Sequence, residues 1–255
     1  MIKHNKGLTY LTKYCLIFIL ACMASGCSTS SNKLNNNVVD DPLESINRVT
    51  FAFNEAVDEA ILAPVAKGYR ALFPKPIRKG ISNFMSNLSQ PWGAANSAFQ
   101  GNFKNAGTAV GRFLINSTIG ILGFFDVATD MGLEEIKEDF GQTLGVAGVS
   151  SGPYLVIPLL GPSNTRDVVG RIAGYFGDPV TFAMRQENHD SWIWIGTAIR
   201  GISFREENLE RIDNLRMSSV DFYATVRSLY EQRRERLIQN ETANSADPFQ
   251  DIEVE

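Results

Sequence analysis

Few groups in the chain could make or break a covalent bond, and they fall in one order. Gly148-Val149-Ser150-Ser151-Gly152 has the G-x-S-x-G spacing of a nucleophile elbow, in which a tight strand-to-helix turn presents a serine to a base. Asp167 or Asp178, and then His189, follow in the order of a triad, so a lipid esterase using Ser150 and His189 is one alternative. The elbow needs a strand before the serine and a helix after it. Pro153 follows instead, and the neighbouring chain lacks the alternating strand–helix pattern of a parallel sheet. Three fixed positions recur by chance in Gly/Ser-rich loops, so no residue is assigned as catalytic and the chain is not read as an enzyme.

The N-terminus carries a different chemistry. Lys3, Lys6 and Lys13 precede an apolar core from Tyr14 to Met23 without an acidic residue, which is the pattern of a secretory leader. It ends at Ala24-Ser25-Gly26-Cys27, small residues running into a cysteine, and resembles the bacterial lipoprotein signal, whose cysteine becomes the acylated first residue. Cys22 after Leu20-Ala21 is a weaker alternative. Ser28, rather than an acidic residue, follows Cys27; by resemblance to lipoprotein sorting this favours the outer membrane. Two or more acyl chains hold a protein stably, at about 0.8 kcal/mol per buried methylene.

Processing at Cys27 removes the remaining chemical options. Cys27 and His189 are then the last of their kinds, so a disulfide and a Cys- or His-based metal site are excluded. Loss of the three leader lysines leaves 21 basic residues of the original 24 against 28 acidic ones, a net charge of −7, which argues against nucleic acid. Neither a P-loop nor a dinucleotide fingerprint is present, so no cofactor is expected and transport would be passive or driven by partners.

The elements that would position any site are helical. Residues 1–26 are the leader, and 27–40 are an Asn/Ser-rich tether. From Asp41-Pro42-Leu43-Glu44, a capping-box start, apolar spacing predicts an amphipathic helix that Pro64 breaks or restarts. A second helix reaches the Pro74-Lys75-Pro76 elbow. Ile77–Leu88, ending before Pro91, Trp92–Gln100 and Asn102–Asn116 are predicted as three more. Leu133–Asp139 reads as an acidic helical turn, and Tyr154–Ile157 as an extended piece too short for a sheet. Ser163 or Asn164 caps a helix from Arg166, another contains Trp192 and Trp194, and one long charged helix spans Leu209 to Leu229. Residues 243–255 form an acidic disordered tail. The body, 41–242, is all-α with Gly/Pro-rich irregular loops and a charged C-terminal helical region.

At the centre of this body lies Phe113–Phe125, FLINSTIGILGFF, without a charge and bounded by Arg112 and Asp126. It is too short to span a bilayer, which takes about 20 residues, so a helix end and a bend are expected. Flanking stretches from Gly80 to Phe103 and Phe140 to Thr165 are also uncharged but rich in Gly, Asn, Ser and Gln. A soluble core and a body partly immersed in lipid both fit. Gly107/Gly111 and Gly170/Gly174 have the spacing that lets helices approach closely. Trp92, Trp192 and Trp194 fit either an interfacial belt or core packing.

Three sets of residues carry a family resemblance: Asp41-Pro42-Leu43-Glu44 with Asn47-Arg48; Asn116, Ile119-Gly120, Gly123-Phe124, Asp126 and Ala128; and Asp139-Phe140-Gly141-Gln142-Thr143-Leu144-Gly145 with Gly152-Pro153-Tyr154, Pro158, Gly161-Pro162-Ser163 and Arg166-Asp167. With the lipoprotein signal, the stretch from Asp41 to about Pro179 resembles the MlaA (VacJ) family of outer-membrane phospholipid-transport lipoproteins. The resemblance implies a single ring-like helical domain, lipid-anchored and embedded in the periplasmic-side leaflet of the outer membrane. An amphipathic channel would remove phospholipids mislocalised to the outer leaflet and pass them to a periplasmic carrier of the MlaC type, maintaining lipid asymmetry. A trimeric porin of the OmpF/OmpC type would be its partner. Gly120, Gly123, Phe124, Phe125 and Asp126 are then expected in a hydrophobic hairpin beside the channel, and Asn96, Gln100, Lys104, Arg112 and Asn116 as polar lining. A porin-associated structural lipoprotein without transport is the other alternative.

Overall fold

The computed structural model describes residues 41–239. The expected leader, Cys27 with its tether, and the acidic tail lie outside the described residues. The described body is mostly helical. α1 (Glu44–Val57), a π-helical turn (Asp58–Leu62) and α2 (Ala63–Leu72) run on without a break. Pro64, expected to break or restart this helix, sits in the first turn of α2, so it marks a restart without a gap. The Ala63 N–H donates to the Asp58 carbonyl, and this wider turn takes up the misfit that a proline causes in an α-helix. The capping box does not form: Leu43 occupies the N-cap, the Asp41 carboxylate accepts the Leu43 N–H at 3.1 Å, and Glu44 pairs with Arg48 at 2.7 Å.

α3 (Lys75–Phe99) passes straight through Pro91, where two helices were expected. One lost backbone bond is outweighed because residues on both sides, Asn87, Gln90, Gly93 and Ala94, are buried against neighbouring chain. α4 (Phe103–Thr118) returns along α3 after a tight turn, its N-cap Asn102 accepting the Asn105 N–H. α5 (Val127–Asp130) is one turn, capped by Asp126. The expected acidic helical turn at 133–139 is irregular. Its carbonyls are taken by side chains instead: Arg112 donates to Leu133, and Gln142 to Lys137 at 2.9 Å. α6 (Phe140–Val146) follows.

β1 (Tyr154–Ile157) pairs antiparallel with β2 (Gly161–Asn164), with Tyr154 opposite Asn164. No sheet was expected here, because Gly-Pro-Ser-Asn has no strand propensity. The other edge of β1 is covered by two asparagines of α1, seven residues apart on one face. Asn47 donates to the Tyr154 carbonyl and accepts the Val156 N–H, both at 2.9 Å. Asn54 does the same for the Ile157 carbonyl at 3.0 Å and the Leu159 N–H at 2.8 Å. The helix therefore stands in for a third strand.

α7 (Thr165–Gly177) is capped by Asn164, as expected. Gly170 lies against the backbone of Gly141, an approach that admits no Cβ, and Gly174 and Gly177 face the Trp92 ring. α8 (Pro179–Gln186), α9 (Asp190–Glu207), α10 (Leu209–Ser218) and α11 (Phe222–Ile238) complete the body. The expected single C-terminal helix is divided at Ser219–Asp221, because Asp221 caps α11 by accepting the Ala224 N–H.

The distribution of side chains is inverted. Among the described residues, the buried apolar set is small, five alanines and six larger side chains such as Tyr154, Leu209 and Tyr223, and buried polar and charged side chains outnumber it. Large apolar groups such as Phe103, Leu114, Ile121, Phe125 and Trp194 lie exposed. Buried and half-buried ion pairs carry part of the packing that an apolar core would carry. Arg234 of α11 donates to Asp139 at 2.7 Å and to Asp167 at 2.8 Å, and Tyr230 donates to Asp167. Burial pushes the Asp139 carboxyl up, but the bonds and charge of Arg234 and the Gln142 N–H outweigh it and hold it at about 2.

Two predictions follow from this clamp. Arg234→Met removes the closer cation of the buried Asp167, leaving Arg166 at 3.4 Å, and should destabilise the protein by about 3–5 kcal/mol in denaturant titrations in detergent. Because the folded Asp139 value is depressed, its contribution is present above the unfolded value of about 3.8 and is lost as pH falls through about 2. An acid titration of helicity should therefore show wild type losing stability between pH 4 and 2, and Asp139→Asn losing less.

Candidate functional site

The end of α4 and the chain after it form a tight, strained turn. The Gly123 N–H donates to the Asn116 carbonyl at 2.6 Å, and the Phe125 N–H to the Gly120 carbonyl at 2.8 Å. Ile121, Leu122 and Gly123 are consecutive left-handed residues, with φ of 51°, 57° and 92°. Two such residues with bulky side chains cost on the order of 1–3 kcal/mol each, and the surroundings must hold them. Asn83 of α3 donates to the Phe124 carbonyl at 3.2 Å, and the Phe124 ring lies over Gly80 with no room for a Cβ. Ile119, Ile121, Leu122 and Phe125 form the exposed tip.

Behind the tip, residues from both sequence-predicted groups meet. Arg112, only 2 % exposed, donates to both Asp126 oxygens at 2.9 and 3.0 Å. Asn116 donates to Asp126 and accepts the Ala128 N–H, each at 2.9 Å. Burial raises the Asp126 carboxyl, but bonds from Thr129, Asn116 and Arg112 bring it below the usual range. The charges that bound the apolar run in sequence thus close it in space.

This cluster borders a cleft of about 320 Å³ between α3, α4 and α9. Its wall holds four deeply buried polar atoms without a hydrogen-bond partner: Asn87 Oδ1, Gln90 Oε1, Arg112 Nε and Ser203 Oγ. Natural interiors leave few such groups, so the wall is suited to polar company that enters the cleft. A second cleft of about 540 Å³ shares Ser82, Asn83 and Glu207 with the first and adds Arg70, Lys75, Arg78 and Lys79. The clefts can hold a polar group of headgroup size; no cluster of His, Cys, Asp or Glu among the described residues could hold a metal.

The remaining sequence-predicted residues lie elsewhere. Asn96 donates to the Trp92 carbonyl and accepts from Thr143 of α6. Gln100 bonds Glu138 at 2.8 Å, and burial raises that carboxyl. Lys104 is exposed at the start of α4, on neither cleft. Ser150 sits in an exposed irregular segment after α6, with no strand before it, so the elbow geometry is absent. The candidate acids are engaged elsewhere: Asp178 caps α8, and Asp167 holds Arg234 and Tyr230. Trp192 and Trp194 are exposed, whereas Trp92 packs beside Phe140. Gly107 has nothing within 4 Å, so its close-approach spacing has no partner helix among the described residues.

Sequence reasoning missed the polar face of α3 and the contribution of α9. A signal existed for the first: Ser82, Asn83, Ser86, Asn87 and Gln90 recur at helical steps. It was hidden by ending the helix before Pro91. Ser203 and Glu207 had no signal, since only the docking of α9 brings them in.

Comparison with known proteins accords with this architecture. A chain of a solved structure concerned with the structural basis for maintenance of bacterial outer membrane lipid asymmetry superposes with a TM-score of 0.69 at 34% identity, covering 78% of this chain and all of that one. The Escherichia coli K12 intermembrane phospholipid transport system lipoprotein MlaA is 34% identical over 214 residues, 82% of each chain. Its Haemophilus influenzae counterpart is 31% identical over 229 residues, 87% of this chain and 88% of the other. An uncharacterised Rickettsia bellii protein is 37% identical over 211 residues, 82% and 81% of the two chains. The MlaA lipoprotein family model matches residues 39–237, and the chain belongs to that family.

Proposed function

We propose that this protein is an outer-membrane lipoprotein, acylated at Cys27, that removes mislocalised phospholipids from the outer leaflet and maintains lipid asymmetry. The observation that carries the reading is the inverted body: large apolar side chains face outward, while a charged and amide-rich cleft lies inside. A phospholipid leaving a leaflet must move a polar headgroup past hydrocarbon, which is costly without hydrogen-bond partners. The cleft supplies partners, and the outward surface suits acyl chains. No described helix is long and apolar enough to cross a membrane, so immersion in one leaflet is the arrangement we favour. In this reading Gly120 to Asp126 is a hydrophobic turn beside the lipid path, with Arg112 and Asn116 bracing it. The path would deliver lipid to a soluble periplasmic carrier of the MlaC type, with a trimeric porin of the OmpF/OmpC type as partner. The transport assignment draws on the family relationship and on the names its characterised relatives carry; the carrier and the porin are what the family resemblance implies.

The test is surface-exposed phospholipid in cells lacking the protein. Wild type and a Ser150→Ala/His189→Ala double variant should both restore the low wild-type level. Gly123→Val should not, because its φ is positive and a Cβ would lie 2.5 Å from that of Asn87. Normal surface lipid in the deletion strain, or full rescue by a folded, anchored Gly123→Val protein, would contradict the proposal.

A further inference from the structure

The two clefts are joined by one face of α3. From Lys75 through Lys79, Ser82 and Ser86 to Gln90, lining residues recur at steps of three or four. At 1.5 Å per residue this polar stripe runs about 22 Å. It is not uniform. Toward the C-terminal end its own residues are hydroxyls and amides, and the charges facing them are of both signs, Arg112, Lys137 and Arg200 with Asp126, Glu135 and Glu207. At the N-terminal end it is cationic, with Lys75, Arg78 and Lys79 on α3 and Arg70 opposite on α2. Glu206 and Glu207 are the only carboxylates among the lining residues there, in a chain whose net charge is −4. Glu206 is already engaged by Arg70 and Arg78. Lys75 and Lys79 have no ion pair or side-chain hydrogen bond among the described residues, and the Arg78 Nε is buried without a partner.

We propose that this cationic end, with Lys75 and Lys79 as direct donors and Arg78 beside them, binds the phosphodiester of a glycerophospholipid headgroup at one terminus of the stripe. The proposal rests on the phospholipid-transport reading and adds where and by what group the lipid is recognised. Two unpaired ammonium groups one helical turn apart, backed by a guanidinium that Glu206 orients, suit an oxyanion with several acceptors. Beyond them the stripe offers hydroxyls and amides facing charges of balanced sign, three basic and three acidic residues, which hold an anionic phosphodiester less tightly, so a lipid caught at the cationic end can still move along the stripe.

The experiment uses the full-length lipoprotein in mixed micelles doped with phosphatidylglycerol, phosphatidylethanolamine or diacylglycerol of the same acyl chains. Wild type should retain both phospholipids in preference to diacylglycerol. Lys75→Gln/Lys79→Gln should retain phospholipid about tenfold less, with diacylglycerol retention and helicity unchanged. Lys75→Arg/Lys79→Arg should keep the phospholipid preference. Equal retention by the glutamine variant and wild type would overturn the site while leaving the transport reading intact. Failure of wild type to hold any phospholipid would overturn the transport reading itself. Inorganic phosphate as competitor separates lipid from free anion. Displacement of phospholipid only at phosphate concentrations far above that of the lipid supports the headgroup assignment. Phosphate binding that is indifferent to lipid overturns it.

Discussion

The structure depends on where its polar and apolar side chains lie: many large apolar groups are outside and much of the inside is polar. A large apolar side chain left in water forgoes about 1.5–3 kcal/mol relative to burial. Many of the largest such groups here are exposed, and the largest side chains that are fully buried are Gln90, Gln142, Asn47 and Asn96. The fully buried apolar core among the described residues is therefore small, centred on Tyr154, Val156 and Tyr223. In lipid the outward surface loses its penalty, and hydrogen bonds and ion pairs inside become the specific glue between elements. Asn47 and Asn54 fastening α1 to β1, and Arg234 joining α6 to α7, are examples. Such contacts are directional, so they fix geometry where apolar packing would tolerate slippage.

The same logic shapes the turn after α4. Its tip is apolar and strained, which loose surroundings would let relax. Arg112, Asp126 and Asn116 grip its base, while Asn83 and Gly80 seat Phe124 against α3. The turn is thus a rigid apolar projection mounted on a polar wall. A lipid moving along that wall would meet fixed dipoles on one side and hydrocarbon-like surface on the other, the two environments its own halves require.

How much of this was legible in the sequence follows from the range of each signal. Local ones read well: the cap at Asn164, the helix from Asn102 and the bend at Gly120–Gly123 each rest on neighbouring residues. Signals overridden at a distance did not. Pro91 marks a break by local rules, yet burial of flanking residues carries α3 through it, whereas Pro64 does restart the helix, with a π turn closing the gap. The 133–139 segment looked helical until Arg112 and Gln142 claimed its carbonyls. β2 lacks strand propensity and exists because β1 and α7 position it. Arg112 and Asp126 were singled out separately, as lining and as hairpin, and their pairing across 14 residues needed the fold. The cationic cleft combines α2, α3 and α9, and no local pattern marks such a meeting.

The most direct test of the central claim is where single labels reside in lipid. On the proposed processing and acylation at Cys27 no other cysteine remains, so a spin label at Leu114→Cys on the exposed apolar face or Ser86→Cys in the cleft would be unique. In phospholipid nanodiscs the account predicts that label 114 relaxes with dissolved oxygen and is shielded from an aqueous nickel chelate. Label 86 should show the reverse. A label at 114 as open to the chelate as label 86 would mean that the apolar surface does not lie in lipid, and the account would fall.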